Sequence, residues 1–109
     1  NRGGWECFDG VLESNQPGSE VELPFTGRAV GLYFRLGPET GDLDWSVDDS
    51  PWQALRVFDE YAAKFWRPNY RVLTESLAPG PHRLRLRVSA DRAPLATGNW
   101  TKLAALLTR

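Results

Sequence analysis

His82, Cys7 and a run of aspartates are the side chains in this sequence best suited to acid–base or metal chemistry. His82 is the sole histidine, and it falls in phase with Leu84, Leu86 and Val88 just after a Pro79-Gly80-Pro81 turn. That phase points it toward the core side at the start of a strand, as a hydrogen-bonded structural histidine. A catalytic base would need a nucleophile and an orienting acid beside it, and no serine sits in a Gly-x-Ser-x-Gly elbow. One Cys and one His do not fill a transition-metal site, and a lone Cys makes no internal disulfide. Asp42, Asp44, Asp48 and Asp49 would suit acid–base work on a glycoside or a structural Ca²⁺. However, Asp42, Asp44 and Asp48 alternate with Leu43, Trp45 and Val47, on the wet face of one strand where charge is expected. No Asp-x-Asp-x-Asp-Gly loop is present. We therefore expect no catalytic residue, no metal site and no cofactor, with structural Ca²⁺ the one ion the acidic run would suit.

The aromatic and arginine residues are the sharper signal. Five Trp among 109 residues is a surplus that must serve core, interface or ligand face. Trp45 is in phase with Leu43 and Val47 and is expected in the core. Trp5 and Trp100 lie near the termini, where terminal strands would pair. Trp52, Tyr61, Phe65, Trp66 and Tyr70 surround one irregular connection. Flat aromatic faces bind sugars by desolvation and C–H contact, and an indole N–H or phenol O–H adds orientation. The same side chains also anchor protein interfaces. Arg83, Arg85 and Arg87 form a stripe on the outer face of their strand, and Arg35 and Tyr33 share the outer phase of another. These arginines are either a solvated face balanced by the acidic strand or a grip for an acidic sugar or carboxylate.

Strands must position these residues. Val21, Leu23 and Phe25 alternate with Glu20, Glu22 and Pro24. Val30, Leu32, Phe34 and Leu36 alternate with Gly31, Tyr33 and Arg35, and Leu84, Leu86 and Val88 with Arg83, Arg85 and Arg87. Period-two patterns of this kind mark strands with one buried and one wet face. Turn signals separate them at Pro17-Gly18, Thr26-Gly27, Gly37-Pro38, Gly41, Pro79-Gly80-Pro81 and Thr97-Gly98. Asp48-Asp49-Ser50-Pro51 reads as a tight hairpin turn. The spacing predicts strands near 5–8, 11–15, 19–26, 28–36, 42–48, 52–58, 69–76, 82–89 and 99–107. Residues 59–65 read as one short helical turn, ended before Pro68. The fold class is all-β: a two-sheet antiparallel sandwich of jelly-roll type.

The bulk properties narrow the function. A chain of this length is one domain's worth and can bury a two-layer core without disulfides. A net charge of −1 argues against a nucleic-acid partner. No apolar run reaches the about 18 residues of a membrane span, so no membrane partner is expected. The opening Asn1-Arg2-Gly3-Gly4, with no methionine anywhere, leads us to expect a segment excised from a larger protein. Asn99-Trp100-Thr101 matches the N-glycosylation pattern but falls in an expected strand.

The order of motifs resembles a known family. Val21-Glu22-Leu23-Pro24-Phe25-Thr26-Gly27-Arg28-Ala29-Val30-Gly31-Leu32 is similar to the opening of β-sandwich domains attached to SGNH/GDSL-type hydrolases. Gly37-Pro38-Glu39-Thr40-Gly41-Asp42-Leu43 with Trp45-Ser46-Val47-Asp48 resembles their turn and hairpin. Leu77-Ala78-Pro79-Gly80-Pro81-His82-Arg83-Leu84 resembles their Leu-x-x-Gly-x-His-x-Leu strand, and Gly98-Asn99-Trp100-Thr101-Lys102-Leu103-Ala104 their closing strand. Asp49 stands where Gly is usual, and Pro81 precedes the histidine. The resemblance implies a jelly roll similar to carbohydrate-binding modules, flanking an esterase or acyltransferase domain. It brings no catalytic residue: the nucleophile motif Gly-Asp-Ser is here Gly41-Asp42-Leu43, and Pro79 occupies the acid position of Asp-x-x-His.

Two functions follow as expectations. One is a carbohydrate-binding accessory module of a secreted bacterial esterase, with Trp52, Tyr61, Trp66 and Tyr70 as platform and Arg67 or Arg35 as polar partners for a polysaccharide. The other is a structural module whose aromatics pack against the adjacent catalytic domain.

Overall fold

The computed structural model describes residues 4–8 and 10–109; of the opening tetrapeptide, only Gly4 falls among them. Among these residues nine strands form: β1 (Glu6–Phe8), β2 (Val11–Ser14), β3 (Glu20–Thr26), β4 (Val30–Leu36), β5 (Leu43–Val47), β6 (Gln53–Leu55), β7 (Arg67–Thr74), β8 (Pro81–Val88) and β9 (Thr101–Thr108). They build two antiparallel sheets, ordered β1-β2-β9-β4-β7 and β3-β8-β5-β6. Strands β2 to β9 therefore wind as a jelly roll, four per layer, with β1 added at one edge.

Alternation decides which face each strand buries. Val30, Leu32, Phe34 and Leu36 of β4 point inward against Leu84, Leu86 and Val88 of β8, and all seven are essentially excluded from solvent. Burying one such side chain is worth about 1.5–3 kcal/mol, so a one-residue slip in register would expose the whole set. Trp45 lies in this core with Leu43 and Val47. Trp5 joins it, and its Nε1 donates to the Ser19 carbonyl at 3.1 Å.

The structure departs from the sequence expectation in three places, while a fourth, the 59–65 turn, follows it. Strand β6 is three residues long rather than running to 58, because the chain turns out of the sheet at Arg56 to clamp Asp42. The 59–65 stretch makes successive hydrogen-bonded turns, Ala62 N to Asp59 O and Lys64 N to Tyr61 O, in keeping with the one short turn expected there. Strand β7 begins earlier than 69 and includes Pro68, which is tolerated because β7 is a sheet edge. Asp42 is buried instead of wet: it lies ahead of β5, tied by backbone hydrogen bonds to Ser89 and Asp91. Its carboxylate is held in bidentate fashion by Arg56, Nε to Oδ1 at 3.0 Å and Nη2 to Oδ2 at 3.0 Å.

Two further irregularities shape the surface. In β9 a bulge sets Leu103 opposite Phe34 and Ala105 opposite Tyr33, leaving Ala104 as the extra residue. Leu103 and Leu106, three apart, can thus both face the core, and two alanines stand beside Tyr33. The β5–β6 hairpin turns on Asp48 (φ 52°) and Asp49 (φ 61°), closed by Ser50 N to Val47 O at 3.1 Å. Aspartate tolerates this left-handed region better than most residues, so the turn forms without the usual glycine.

Candidate functional site: the outer face of the five-stranded sheet

The two outer faces differ in kind. On the four-stranded sheet, Arg83, Arg85 and Arg87 of β8 project outward between acidic neighbours. Arg83 pairs with Glu22 and Asp49, Arg85 with Glu20 and Asp49, and Arg87 with Asp44. Trp52 lies over this ladder, with the Arg87 guanidinium 4.1 Å and that of Arg85 4.9 Å from its ring centroid. The face is a closed ion-pair network. Every aspartate of the acidic run has a cationic partner: Asp42 has Arg56, Asp44 has Arg87, Asp49 has Arg83 and Arg85, and Asp48 has His82. Among the described residues no group of three or more His, Cys, Asp or Glu is arranged to hold a metal ion.

His82 is placed as its phase requires. Its side chain is nearly covered, with Nδ1 2.5 Å from Asp48 Oδ2 and Nε2 2.6 Å from the Ala78 carbonyl. The Asp48 hydrogen bond is the main reason its pKa is raised, with the Ala78 carbonyl second. A hollow of about 480 Å³ opens beside it, lined by Pro24, Phe25, Thr26, Asp48, Pro81, His82 and Arg83. Both ring nitrogens are committed, however, so the histidine is a strut between the β5–β6 turn and the 78–81 turn.

The five-stranded sheet presents a different surface. Register places Tyr33 of β4 opposite Tyr70 of β7 and Arg35 opposite Pro68. Tyr70 is 61% exposed, Tyr33 40% and Trp66 38%. Trp66, just before β7, lies over Gly37, where an added Cβ would overlap the indole Cγ, Cδ2 and Cε2. A buried Thr40 supports this spot, its Oγ1 accepting from Gly37 N at 2.8 Å. The Lys102 ammonium stands 4.5 Å from the Trp66 centroid and 5.1 Å from that of Trp100, and 3.5 Å from Glu13. Tyr33, Arg35, Trp66, Arg67, Pro68 and Ala104 line a groove of about 380 Å³.

The 59–66 loop borders that groove. Asp59 accepts from Ala62 N at 2.9 Å and pairs with Arg67. Burial pushes the Asp59 carboxyl up, but the Arg67 guanidinium and the Ala62 and Tyr61 N–H groups together hold it below the usual range. Ala62 plugs the loop onto the core. Tyr61 is exposed, with the Arg67 guanidinium 6.0 Å from its ring centroid.

Of the six residues expected at a site, Arg35, Trp66 and Arg67 line one groove, Tyr70 flanks it across from Tyr33, and Tyr61 stands at the Arg67 end. Trp52 lies on the other sheet. Tyr33, Ala104, Lys102 and Trp100 join the face without having been among the six. Strand phase already puts Tyr33 beside Arg35, but the cross-strand partners depend on long-range register.

The sequence matches no protein-family model and no curated protein. Three-dimensional likeness is clear. One similar structure is a two-domain esterase active on acetylated mannans, co-crystallised with mannopentaose: TM-score 0.70, 15% identity, 89% of this chain and 27% of that one. A family two carbohydrate esterase from Clostridium thermocellum, in complex with cellohexaose, gives 0.67 at 21% identity over 99% of this chain and 30% of that one. A family two carbohydrate esterase from Cellvibrio japonicus gives 0.67 at 16% identity, over 96% and 28%. The chain thus spans less than a third of these proteins, and what it shares with that part is the β-sandwich fold.

Proposed function

We propose that this β-sandwich is a non-catalytic, carbohydrate-binding accessory module of a polysaccharide-active esterase of the SGNH/GDSL type, working outside the cell. The observation that carries the reading is the outer face of the five-stranded sheet. There Trp66, Tyr33 and Tyr70 stand exposed around a groove with Arg35 and Arg67, while the opposite face is closed by ion pairs. Fixed aromatic planes with a few polar groups are what a glycan surface needs: the rings supply desolvated area and the guanidiniums orient hydroxyls. The fold shared with carbohydrate esterases supports the same assignment. The reaction belongs to the adjacent domain of the parent, since no nucleophile, base and acid assemble among the described residues.

A second reading rests on the other end of the same face. Val72 and Leu107 lie exposed there, beside a shallow hollow lined by Gly31, Glu75 and Arg109. This aliphatic end suits packing against the catalytic domain better than it suits a sugar, and would make the module a structural partner that shapes the cleft.

Affinity electrophoresis and pull-down on soluble and insoluble polysaccharides separate the two. The binding reading expects retardation on one polymer class, weakened about 10-fold or more by Trp66→Ala, as for other central aromatic anchors. Absence of binding to every polymer, with the fold intact by circular dichroism, would leave only the structural role.

A further inference from the structure

We propose that the groove between Arg35 and Trp66 selects an acidic glycan, one whose sugar units carry a carboxylate. The inference rests on the reading of this face as a glycan platform and names the class of sugar it takes.

Among the described arginines, Arg28, Arg35, Arg71 and Arg92 have no carboxylate partner among the described residues, and of these four Arg35 is the one that lines the groove. Arg56, Arg67, Arg83, Arg85, Arg87 and Arg109 each have a carboxylate within ion-pair distance. Arg35 has none among the described residues, although it projects from the middle of a sheet. Its cross-strand neighbours are Pro68 on β7 and Lys102 on β9, neither of them an acceptor. Two cations directly opposite on adjacent strands repel. Lys102 is partly relieved by Glu13, which faces it from β2, and by the rings of Trp66 and Trp100. Arg35 is exposed and has no such relief among the described residues.

Arg35 lines the same groove as Trp66 and Tyr33. A planar fork of N–H donors beside a flat indole fits a pyranose whose carboxylate is gripped by two parallel hydrogen bonds while the ring lies on the aromatic plane. A neutral sugar would use the plane but leave the charge unanswered. The molecule as a whole is slightly acidic, so diffuse attraction does not supply the preference; the local groove must.

The test is affinity electrophoresis of the chain on a uronic-acid-bearing polysaccharide and on the same polymer after its carboxyl groups are reduced to alcohols. The proposal expects tighter binding to the acidic form, by about 5- to 10-fold, the effect of one exposed charge-assisted bidentate contact. Arg35→Gln should bring the acidic polymer down to the level of the reduced one. Arg83→Gln, which removes the same charge from the ion-paired sheet, should leave the preference intact. Equal binding to both polymers, or a preference that survives Arg35→Gln or disappears in Arg83→Gln, would overturn the acidic selectivity while leaving the glycan platform standing. Binding to neither polymer nor to any neutral one would remove the platform reading and this inference together.

Discussion

Trp66 rests on Gly37, and the indole occupies the space that a side chain at that position would fill. The pair stands where β4 and β7 leave their register, one step beyond Leu36 opposite Arg67. Gly37→Ala should therefore disturb the platform without deleting any aromatic group. We expect the added methyl to push the indole off the sheet, lowering glycan affinity several-fold and shifting Trp fluorescence, with little change in the far-ultraviolet spectrum. Affinity electrophoresis of Gly37→Ala beside Trp66→Ala is the measurement. Unchanged affinity in Gly37→Ala would mean that the seat of the ring is irrelevant to binding.

Thr40 ties the seat down. Its buried hydroxyl accepts from Gly37 N at 2.8 Å, and Thr40 N returns a bond to Gly37 O at 3.0 Å. Thr40→Val keeps the volume and removes the acceptor, stranding a buried N–H at a cost of about 1–3 kcal/mol. For a domain of this size each kcal/mol lowers Tm by about 4–8 °C. Thermal unfolding should show a Tm lower by about 4–24 °C, and glycan affinity should fall with it. A Tm equal to that of the unaltered chain would show that another group satisfies Gly37 N.

Nearly all the strands were legible in the sequence because alternation alone fixes which side of each faces inward. Val21 and Phe25, or Leu84, Leu86 and Val88, need no knowledge of their partners to be placed in the core. The site was less legible because it depends on partners. Trp52 is closer in sequence to Trp66 than Tyr33 is, yet β6 belongs to one sheet and β7 to the other, so the connection between them carries the chain across the sandwich. Tyr33 meets Tyr70 only through the β4–β7 register, and the bulge that leaves Ala104 as the extra residue in the groove wall has no local signature. Asp42 misled for a related reason: its alternation was right, but the 89–91 segment covers the end of β5 and Arg56 returns to clamp it.

That division gives a contrast between two tryptophans. Trp52 stacks on Arg85 and Arg87 within the closed ion-pair face, whereas Trp66 borders the open groove. Trp52→Ala should lower Tm slightly, through lost packing on the guanidiniums, and leave polysaccharide retardation within about twofold, as expected of a site that shares no partner with the groove. Trp66→Ala should do the reverse. Loss of binding in Trp52→Ala alone would move the platform to the four-stranded sheet.

His82 gives the domain a pH dependence. Two acceptors, Asp48 Oδ2 and the Ala78 carbonyl, face its two ring nitrogens, so the folded state favours the imidazolium, which donates to both. The Asp48 hydrogen bond first, and then that of Ala78, raises its pKa above the ordinary 6.5. The hydrogen bond from His82 is in turn the main cause that holds Asp48 below its ordinary 3.8, followed by the backbone N–H of Arg83. Unfolding returns both groups to ordinary values. The stability from His82 is thus fully present below about pH 6.5 and is lost as pH rises through the higher folded value; that from Asp48 is present above about pH 4 and is lost as pH falls through the lower one. The pair stabilises the fold most between these limits, and by a modest amount, because the carboxylate is half exposed and solvent screens it. Thermal melts at about pH 5.5 and about pH 8.5 should show a lower Tm at the higher pH, with a smaller difference in His82→Gln, whose amide does not titrate. An equal drop in both proteins would assign the alkaline loss to groups other than this pair.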